Sequence, residues 1–533
     1  MAQQPNDGSG RAPVAIVRPT TSVTSGVAVT QKLVSAAVAF GNLLKGTYGP
    51  NGLDKMLYKT NGETAVTNDG AKIVAELLVK HPAAKAFVQL AESQENACGD
   101  GVTGCIIFAS ELMRESGVLL EKGLHPLVLV RGYQDAMQQT ITTWHNNSHP
   151  VSINDNEILC SVALTAMTGT AVESVGDVLA DLIVNAAQHV ARQDGDGWIV
   201  DTESVRMAKK GTGSLSDTTL IKGVILDKNL DLEKLPRKLT AGNVVVLSCP
   251  LEIEKTSYDA EIEISTTEQW SSFMAAEEKI LQDKAQKIID SGVKLVFCAE
   301  TVDSRILHEL ADNDICVLPS MEKSGAQDVA LATGALLIDH VDSIDAETMG
   351  RFESMFVETY DSPEGLRDRL YLNVGEDSGL ITIDVCGGGG AASEEFVRGL
   401  YDALNSVAKS IEFGYASHGG GNQHITAALA IREYAESIAG RERLAIEGFA
   451  RALESIPTTL VANSGNNMLD GLLELRSLIR LGKGNCGINS SGKADELPAV
   501  WECAHTSLHA LEAACETACG LLRVDQVISA RGD

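Results

Sequence analysis

Apolar residues recur every three to four positions over residues 29–44, 73–79, 83–90 and 106–120, which predicts amphipathic helices through most of the stretch from Val27 to about Trp144. Three glycine-bearing breaks interrupt them, at 46–52, 67–70 and 99–104. Between about Gly223 and Asp384 the period changes. Short β-rich runs at 244–247, 295–297, 315–318 and 380–383 alternate with helical segments and predict an α/β region. Beyond the glycine run 387–390 the helical period returns over 396–411, 425–438, 444–461 and 508–522, and 524–529 is a candidate C-terminal strand. Helical ends around an α/β middle imply an insertion, with both ends of the chain building one domain.

One segment departs from this pattern. Residues 258–264 alternate apolar and acidic side chains, and Trp270, Phe273 and Met274 follow closely before a charged helix at 277–289. Apolar groups with so few neighbours to bury them suggest a protruding element that packs when something docks on it. The competing expectation is a strand and helix packed normally on the domain.

Composition narrows the class. At 533 residues the chain is too long for one core and predicts about three or four domains. A net charge of −29 argues against a partner whose phosphate backbone must be neutralised, so no nucleic acid is expected. No apolar run approaches ~18 residues, so no membrane span is expected. The first 21 residues are rich in Gly, Pro, Ser and Thr and lack an apolar stretch, which predicts a disordered arm and no signal peptide. Eleven cysteines scattered through helical and strand patterns point to reduced thiols and a cytoplasmic location. There the sequons at Asn146 and Asn489, and the terminal Arg531-Gly532-Asp533, carry no meaning.

The strongest chemical signal is Gly99-Asp100-Gly101-Val102-Thr103-Gly104. Glycines let backbone N–H groups converge on an anion, and the helix that begins there adds the positive end of its dipole. Asp100 in such a nest repels phosphate but suits a Mg²⁺ ion travelling with a nucleotide. Alone, the motif reads as a helix start after a tight turn. It gains weight because the other two breaks also meet helices, and one brings a second aspartate, Asp69. That recurrence points to a polyphosphate site.

Read together, these stretches resemble a group II chaperonin subunit, the family of archaeal thermosomes and the eukaryotic cytosolic chaperonin. Tyr48-Gly49-Pro50-Asn51-Gly52-Leu53-Asp54-Lys55-Met56 is similar to the family's L-G-P-K-G-M-D-K-M, and Gly99–Thr103 to its G-D-G-T-T. Thr67–Ala71, His81–Lys85, Ala166–Gly169, Cys249–Glu252, Asp259–Ile262, Tyr401–Leu404, Gly419–Gly421, Arg441–Ile446 and Leu522–Ile528 continue the series in family order over nearly the whole chain. The resemblance implies a multidomain α/β chaperonin fold. A mainly helical equatorial ATP-binding domain spans 1–146 and 405–533, and a small α/β intermediate domain spans 147–216 and 370–404. An α/β apical substrate-binding domain spans 217–369, with a built-in lid protrusion near 254–284.

It further implies ATP and Mg²⁺ as cofactors and an ATPase that assists folding of non-native polypeptides inside a double ring of identical or paralogous subunits. Thr47, Tyr48, Gly49 and Pro50 would shape the loop over the phosphates. Asp100 would hold the metal. The nest of Gly99, Gly101, Val102, Thr103 and Gly104 would cradle phosphate oxygens. Asp69 and Asp402 would orient or deprotonate the attacking water, Gly420 and Gly421 would approach the ribose or base, and Glu502 would lie near the sugar. Chain ends are expected to pair with neighbouring subunits as strands.

Departures from the family pattern bear on turnover. Val102 replaces a threonine, Asn51 a lysine and Cys503 a proline. Thr170 stands where many members carry a lysine that senses the terminal phosphate, and the glycine loop continues Asn422-Gln423-His424. A ring-building subunit that hydrolyses poorly is therefore the alternative, although the three carboxylates are kept. A small-molecule phosphotransferase lacks any visible acceptor motif. Cys503, His505, His509, Cys515 and Cys519 share one helical stretch but lack the tight Cys-x-x-Cys of structural zinc sites, so buried thiols and partly exposed histidines are expected. His418 and His424 are read as ordinary loop residues.

Overall fold

The computed structural model describes residues 23–58, 62, 64–79, 81–195, 197–253, 266–362 and 365–528. The N-terminal arm, the alternating segment 258–264 and the terminal tripeptide lie outside the described residues. The chain divides into two compact units, one of residues up to 148, 418–498 and from 506 onward, the other of 149–417 and 499–505.

The first unit is helical and draws on both ends of the chain. Helices Val27–Lys45, Pro82–Cys98, Val102–Glu121, Pro126–Asn147, Asn422–Glu436, Glu442–Leu453 and Ala504–Leu522 enclose one apolar core. Phe108 and Tyr133 meet Phe449 edge-on, with ring centroids 5.4 and 5.8 Å away. A smaller core of Ile425, Val461, Leu475, Cys486 and Ile488 lies under the hairpin Cys486–Ile488 and Ala494–Glu496. Strand Val23–Ser25 pairs antiparallel with Gln526–Ile528, so the two chain ends meet as a two-stranded sheet. A second hairpin joins Lys55–Tyr58 to Thr64–Thr67 and leaves Met56 and Tyr58 exposed.

Three helices differ from the sequence expectation: the charged helix expected at 277–289 begins at Thr267, one ends early and one is divided by a proline. The helix expected over 73–79 is Gly70–Ala75, capped at Glu76. Pro82 occupies the first turn of the next helix and needs extended backbone ahead of it, as His81 shows at φ −76°, ψ 134°. The helix expected over 444–461 is two helices, Glu442–Leu453 and Ser455–Asn463. Pro457 has no N–H to return to Leu453, so the ladder breaks there. The break residue, Glu454, is buried and takes Arg432 and Arg476 together, each donating at 2.7 Å to its carboxylate.

The second unit holds two layered regions. A seven-stranded sheet runs Cys316–Leu318, Leu295–Cys298, Lys238–Leu247, Gly350–Ser362, Gly365–Asn373, Gly223–Asp227, with Leu337–Ile338 also pairing with Lys238–Leu247. The alternation of a strand divides its side chains between two cores. Val245, Leu247, Val296 and Val317 meet helices Thr267–Asp290 and Ser304–Asp312, while Val244, Val246, Phe297 and Leu318 meet helix Lys323–Thr333. The other region packs helices Asn156–Met167, Gly176–Val190 and Ala391–Phe413 on a three-stranded sheet of Val205–Lys209, Ile381–Val385 and Thr219–Ile221. Arg369 ties the two sheets. It is fully buried, 2.8 Å from Asp384 on one and 3.4 Å from Asp227 on the other. Among the described residues no helix is long and apolar enough to cross a membrane.

Candidate nucleotide-binding site

The site of the first unit is built around the start of helix Val102–Glu121. Gly99 ends the preceding helix in the left-handed conformation (φ 63°) and returns its N–H to Glu95 O at 2.8 Å. Gly101 repeats that conformation (φ 82°) as N-cap, so the chain reverses within three residues. No side chain caps this helix. Its first-turn N–H groups are therefore directed at whatever anion enters, with the helix dipole behind them.

Two further loops converge on the same helix start. A Cβ on Gly70 would lie 2.4 Å from Thr103 Oγ1, so the loop carrying Asp69 rests directly on Thr103. A Cβ on Gly104 would lie 3.4 Å from the Tyr48 ring, which brings in the loop of Thr47, Tyr48, Gly49 and Pro50. That loop is held tightly. Thr47 Oγ1 donates to Leu44 O at 2.8 Å, and Asn463 Nδ2 donates to Lys45 O and Tyr48 O at 2.8 and 2.7 Å. Asn51 Nδ2 donates to Ser464 Oγ at 2.9 Å and Ser490 O at 2.6 Å, so the residue standing in place of a lysine works as a clasp.

Gly420 and Gly421 reach this arrangement through helix Ser455–Asn463. A Cβ on Gly421 would lie 2.7 Å from Pro457, and one on Gly49 would lie 2.2 Å from Leu460, one turn further along the same helix. At Gly420 the collision would be with Ile488 backbone at 2.9 Å. Glycine is thus required at these positions by the protein's own packing, before any ligand is considered.

Asp69 caps helix Gly70–Ala75 and accepts from Ala71 N and Lys72 N at 2.8 and 3.3 Å. Both oxygens are oriented by backbone donors, which suits a carboxylate that positions a water. Asp100 Oδ1 accepts from Gly101 N, and the Asp100 main-chain carbonyl accepts from Gln94 Nε2 at 2.9 Å. Val102 is buried, so its lost hydroxyl leaves the N–H row intact. Carboxylate, uncapped N–H groups and blocked Cβ positions together fit a nucleotide polyphosphate with a divalent cation.

Asp402 and Glu502 belong to the second unit. Asp402 is half-buried on helix Ala391–Phe413, beside Ala403 and Leu404 in the core, and Glu502 lies in strand Trp501–Cys503. Thr170 packs one turn before Asp402, where a Cβ on Gly399 would lie 3.2 Å from its hydroxyl, and that hydroxyl donates to Met167 O at 2.6 Å. Of the histidines and thiols of the C-terminal stretch, Cys515 and Cys519 lie together, one turn apart, and the others lie elsewhere. His505 stacks on Phe413 with centroids 3.4 Å apart, Cys503 joins the second unit's core, and Cys515 and Cys519 join that of the first. His424 packs edge-on against Trp144 at 5.3 Å, and burial pushes its imidazole down to about 4.

Sequence reasoning missed Gln94, Asn463 and Thr506. Gln94 had a visible signal. It is the one polar member of the buried stripe Phe87, Leu90, Ala91, Gln94, Cys98. Asn463 and Thr506 had none, because their partners lie 418 and 412 residues away.

Residues 40–532 match the model of the TCP-1/cpn60 chaperonin family. A thermosome subunit of Methanopyrus kandleri is 35% identical over 502 residues, covering 93% of this chain and 91% of the relative. The thermosome subunits beta and alpha of Archaeoglobus fulgidus are each 34% identical over 523 residues, 98% of this chain and 95% of theirs. With match and identity running through nearly the full length, the chain belongs to the TCP-1/cpn60 chaperonin family, as a group II chaperonin subunit.

Proposed function

We propose that this subunit hydrolyses ATP with Mg²⁺ and uses the turnover to close a lid over non-native polypeptide inside a double ring. The observation that carries it is the convergence of three loops on an uncapped helix start, with Gly70 against Thr103 and Tyr48 against Gly104. Asp100 would hold the cation. The N–H groups of Val102 and Thr103 and the Thr103 hydroxyl would bind phosphate oxygens, with Gly101 shaping the turn and holding the Asp100 carboxylate and with Gly49 and Pro50 above them. Bound there, Mg²⁺ supplies charge neutralisation to the phosphoryl group. Asp69, held by its capping bonds, would orient the attacking water. Asp402 and Glu502 enter through the family resemblance, as second carboxylate and sugar contact.

The three-domain division, equatorial, intermediate and apical, is part of the same proposal. The separate cores of the second unit support a further division of that unit. Exposed Trp270, Phe273 and Met274 support a surface for unfolded chains or for the lid itself. Two sheets that have two strands each among the described residues, one made by the chain ends and one by the hairpin Lys55–Tyr58 and Thr64–Thr67, support strand pairing between neighbouring subunits. The relatives named alpha and beta support a ring that mixes paralogues as readily as one of identical chains. The net charge of −29 and eleven free cysteines support a cytoplasmic protein that binds no nucleic acid.

The test is Mg²⁺-dependent ATP hydrolysis by the assembled ring, beside Asp402→Ala. The expected outcome is turnover in the parent and a loss of at least about 100-fold in the variant, with nucleotide still bound. If neither protein hydrolyses while both bind nucleotide, Val102 and the short, self-bonded Thr170 have disabled the site. The chain is then a ring-building subunit.

A further inference from the structure

We propose that Gln94, held in place by His509, is a positioning residue that sets the cation-binding geometry of Asp100. The proposal rests on the assignment of Asp100 to the divalent cation. Gln94 is fully buried near the C-terminal end of helix Pro82–Cys98. Its Nε2 donates to the main-chain carbonyl of Asp100 at 2.9 Å and to Thr506 O at 3.3 Å. Two carbonyl acceptors fix the amide's orientation, because the reversed amide would set oxygen against oxygen. Oε1 then faces His509 Nδ1 at 2.7 Å, so Nδ1 must carry the proton and donate.

The result is a relay of orientation across three segments: helix Ala504–Leu522 holds His509, His509 holds Gln94, and Gln94 holds the loop at Asp100. The loop has no slack on that side. A Cβ on Gly101 would lie 2.7 Å from Thr506 Cγ2 and 3.1 Å from Gln94 Nε2. Asp100 is therefore pinned twice, its carboxylate by Gly101 N–H and its carbonyl by Gln94. A cation ligand fixed in this way loses little freedom when the ion binds, which is how outer groups tune a metal site.

The experiment measures Mn²⁺ binding to the assembled ring loaded with ADP, by the loss of free-ion resonance, alongside metal-free ADP binding. Gln94→Met keeps the volume and removes the hydrogen bonds. It is expected to weaken Mn²⁺ binding about 10–100-fold, the usual effect of losing an outer-sphere partner, with metal-free ADP binding unchanged. His509→Leu should weaken it less, by about 3–10-fold, and His509→Asn, whose amide can donate from the same place, should recover most of that. The double variant should be no worse than Gln94→Met, because His509 acts through Gln94. If Gln94→Met fails to assemble, the two half-buried His509 variants decide the matter. Mn²⁺ affinity within twofold of the parent in Gln94→Met, or equal loss in His509→Leu and His509→Asn, overturns the proposal. Asp100→Asn separates the levels. If it loses the cation while Gln94→Met keeps it, only the positioning role falls. If Asp100→Asn keeps the cation, the assignment of Asp100 falls too.

Discussion

At Gly101 there is no room for one more carbon, whereas at Trp270 more than half of an indole stands in water. The first surface is closed by the chain itself. Thr506, Gln94, Pro457, Leu460 and Ile488 each occupy the place a Cβ would take at one of its glycines. Backbone donors held in that way offer one geometry, which suits a ligand of fixed shape and charge. The second surface is set by position along a helix. Met274 lies seven residues before Leu281 on helix Thr267–Asp290, so both lie on one stripe, which continues through Ala285 and Ile288. Past Leu281 that stripe is buried against the sheet, and before it the same stripe is exposed. Apolar area without a fixed partner suits ligands that share only hydrophobicity.

The largest effect that tests this contrast is at Gly101. Gly101→Ala must hold alanine at φ 82° and push Thr506, whose β-branched side chain is buried against it. Left-handed strain of about 1–2 kcal/mol and overpacking of about 1–3 kcal/mol give a loss of about 3 kcal/mol. Gly123→Ala has nearly the same φ, 84°, and open space around it, so about 1 kcal/mol is expected there. Equilibrium denaturation of both variants at one protein concentration checks this. Equal losses would mean that the nucleotide loop is as open as a surface turn, and the contrast would fail.

A middling effect is expected behind the same cradle, at His424. Burial holds its folded-state value at about 4, below the ordinary 6.5. Between those values the unfolded chain binds the proton and the folded one does not, so stability rises with pH across that window and is flat above it. Relative to pH 7, this histidine should cost about 2 kcal/mol at pH 5. His424→Phe, which keeps the packing on Trp144, should remove that part of the pH dependence and leave the carboxylate contribution in place. Parallel pH profiles for parent and variant would show that water already reaches the imidazole.

How much of this was legible beforehand differs between the two surfaces. The glycine breaks and both aspartates of the cradle could be read directly, because backbone reversals and helix starts are local and leave local signatures. What holds the cradle could not, since Asn463 and Thr506 act on partners hundreds of residues away and nothing in their own neighbourhood distinguishes them. The helical period misled where a proline outweighed it, at Pro457, and where the charged helix begins ten residues before its expected start, at Thr267. The apolar cluster at Trp270 could be read as unusual, but its exposure depends on where the sheet ends, which no local pattern states. Asn51 stands where the family pattern has a lysine and works as a clasp, because the sequence names a residue and leaves its partner open.

The smallest effect on stability, and the sharpest on function, is expected at the helix front. Trp270 and Phe273 are 56% and 37% exposed. Replacing each by serine removes the part of its ring that rests on the helix surface, so each change should cost about 0.5–1 kcal/mol. Serine has nearly the helix propensity of tryptophan and phenylalanine, so propensity adds nothing to that cost. If these residues serve to capture unfolded chains, binding of a chemically unfolded polypeptide to the nucleotide-free ring should fall severalfold, while ATP hydrolysis and melting temperature hold. A drop of several degrees in melting temperature would show instead that the indole and phenyl rings are packed within the assembled ring. The front of the helix would then be an internal contact, as closed as the cradle, and the difference between the two surfaces would be one of sequence alone.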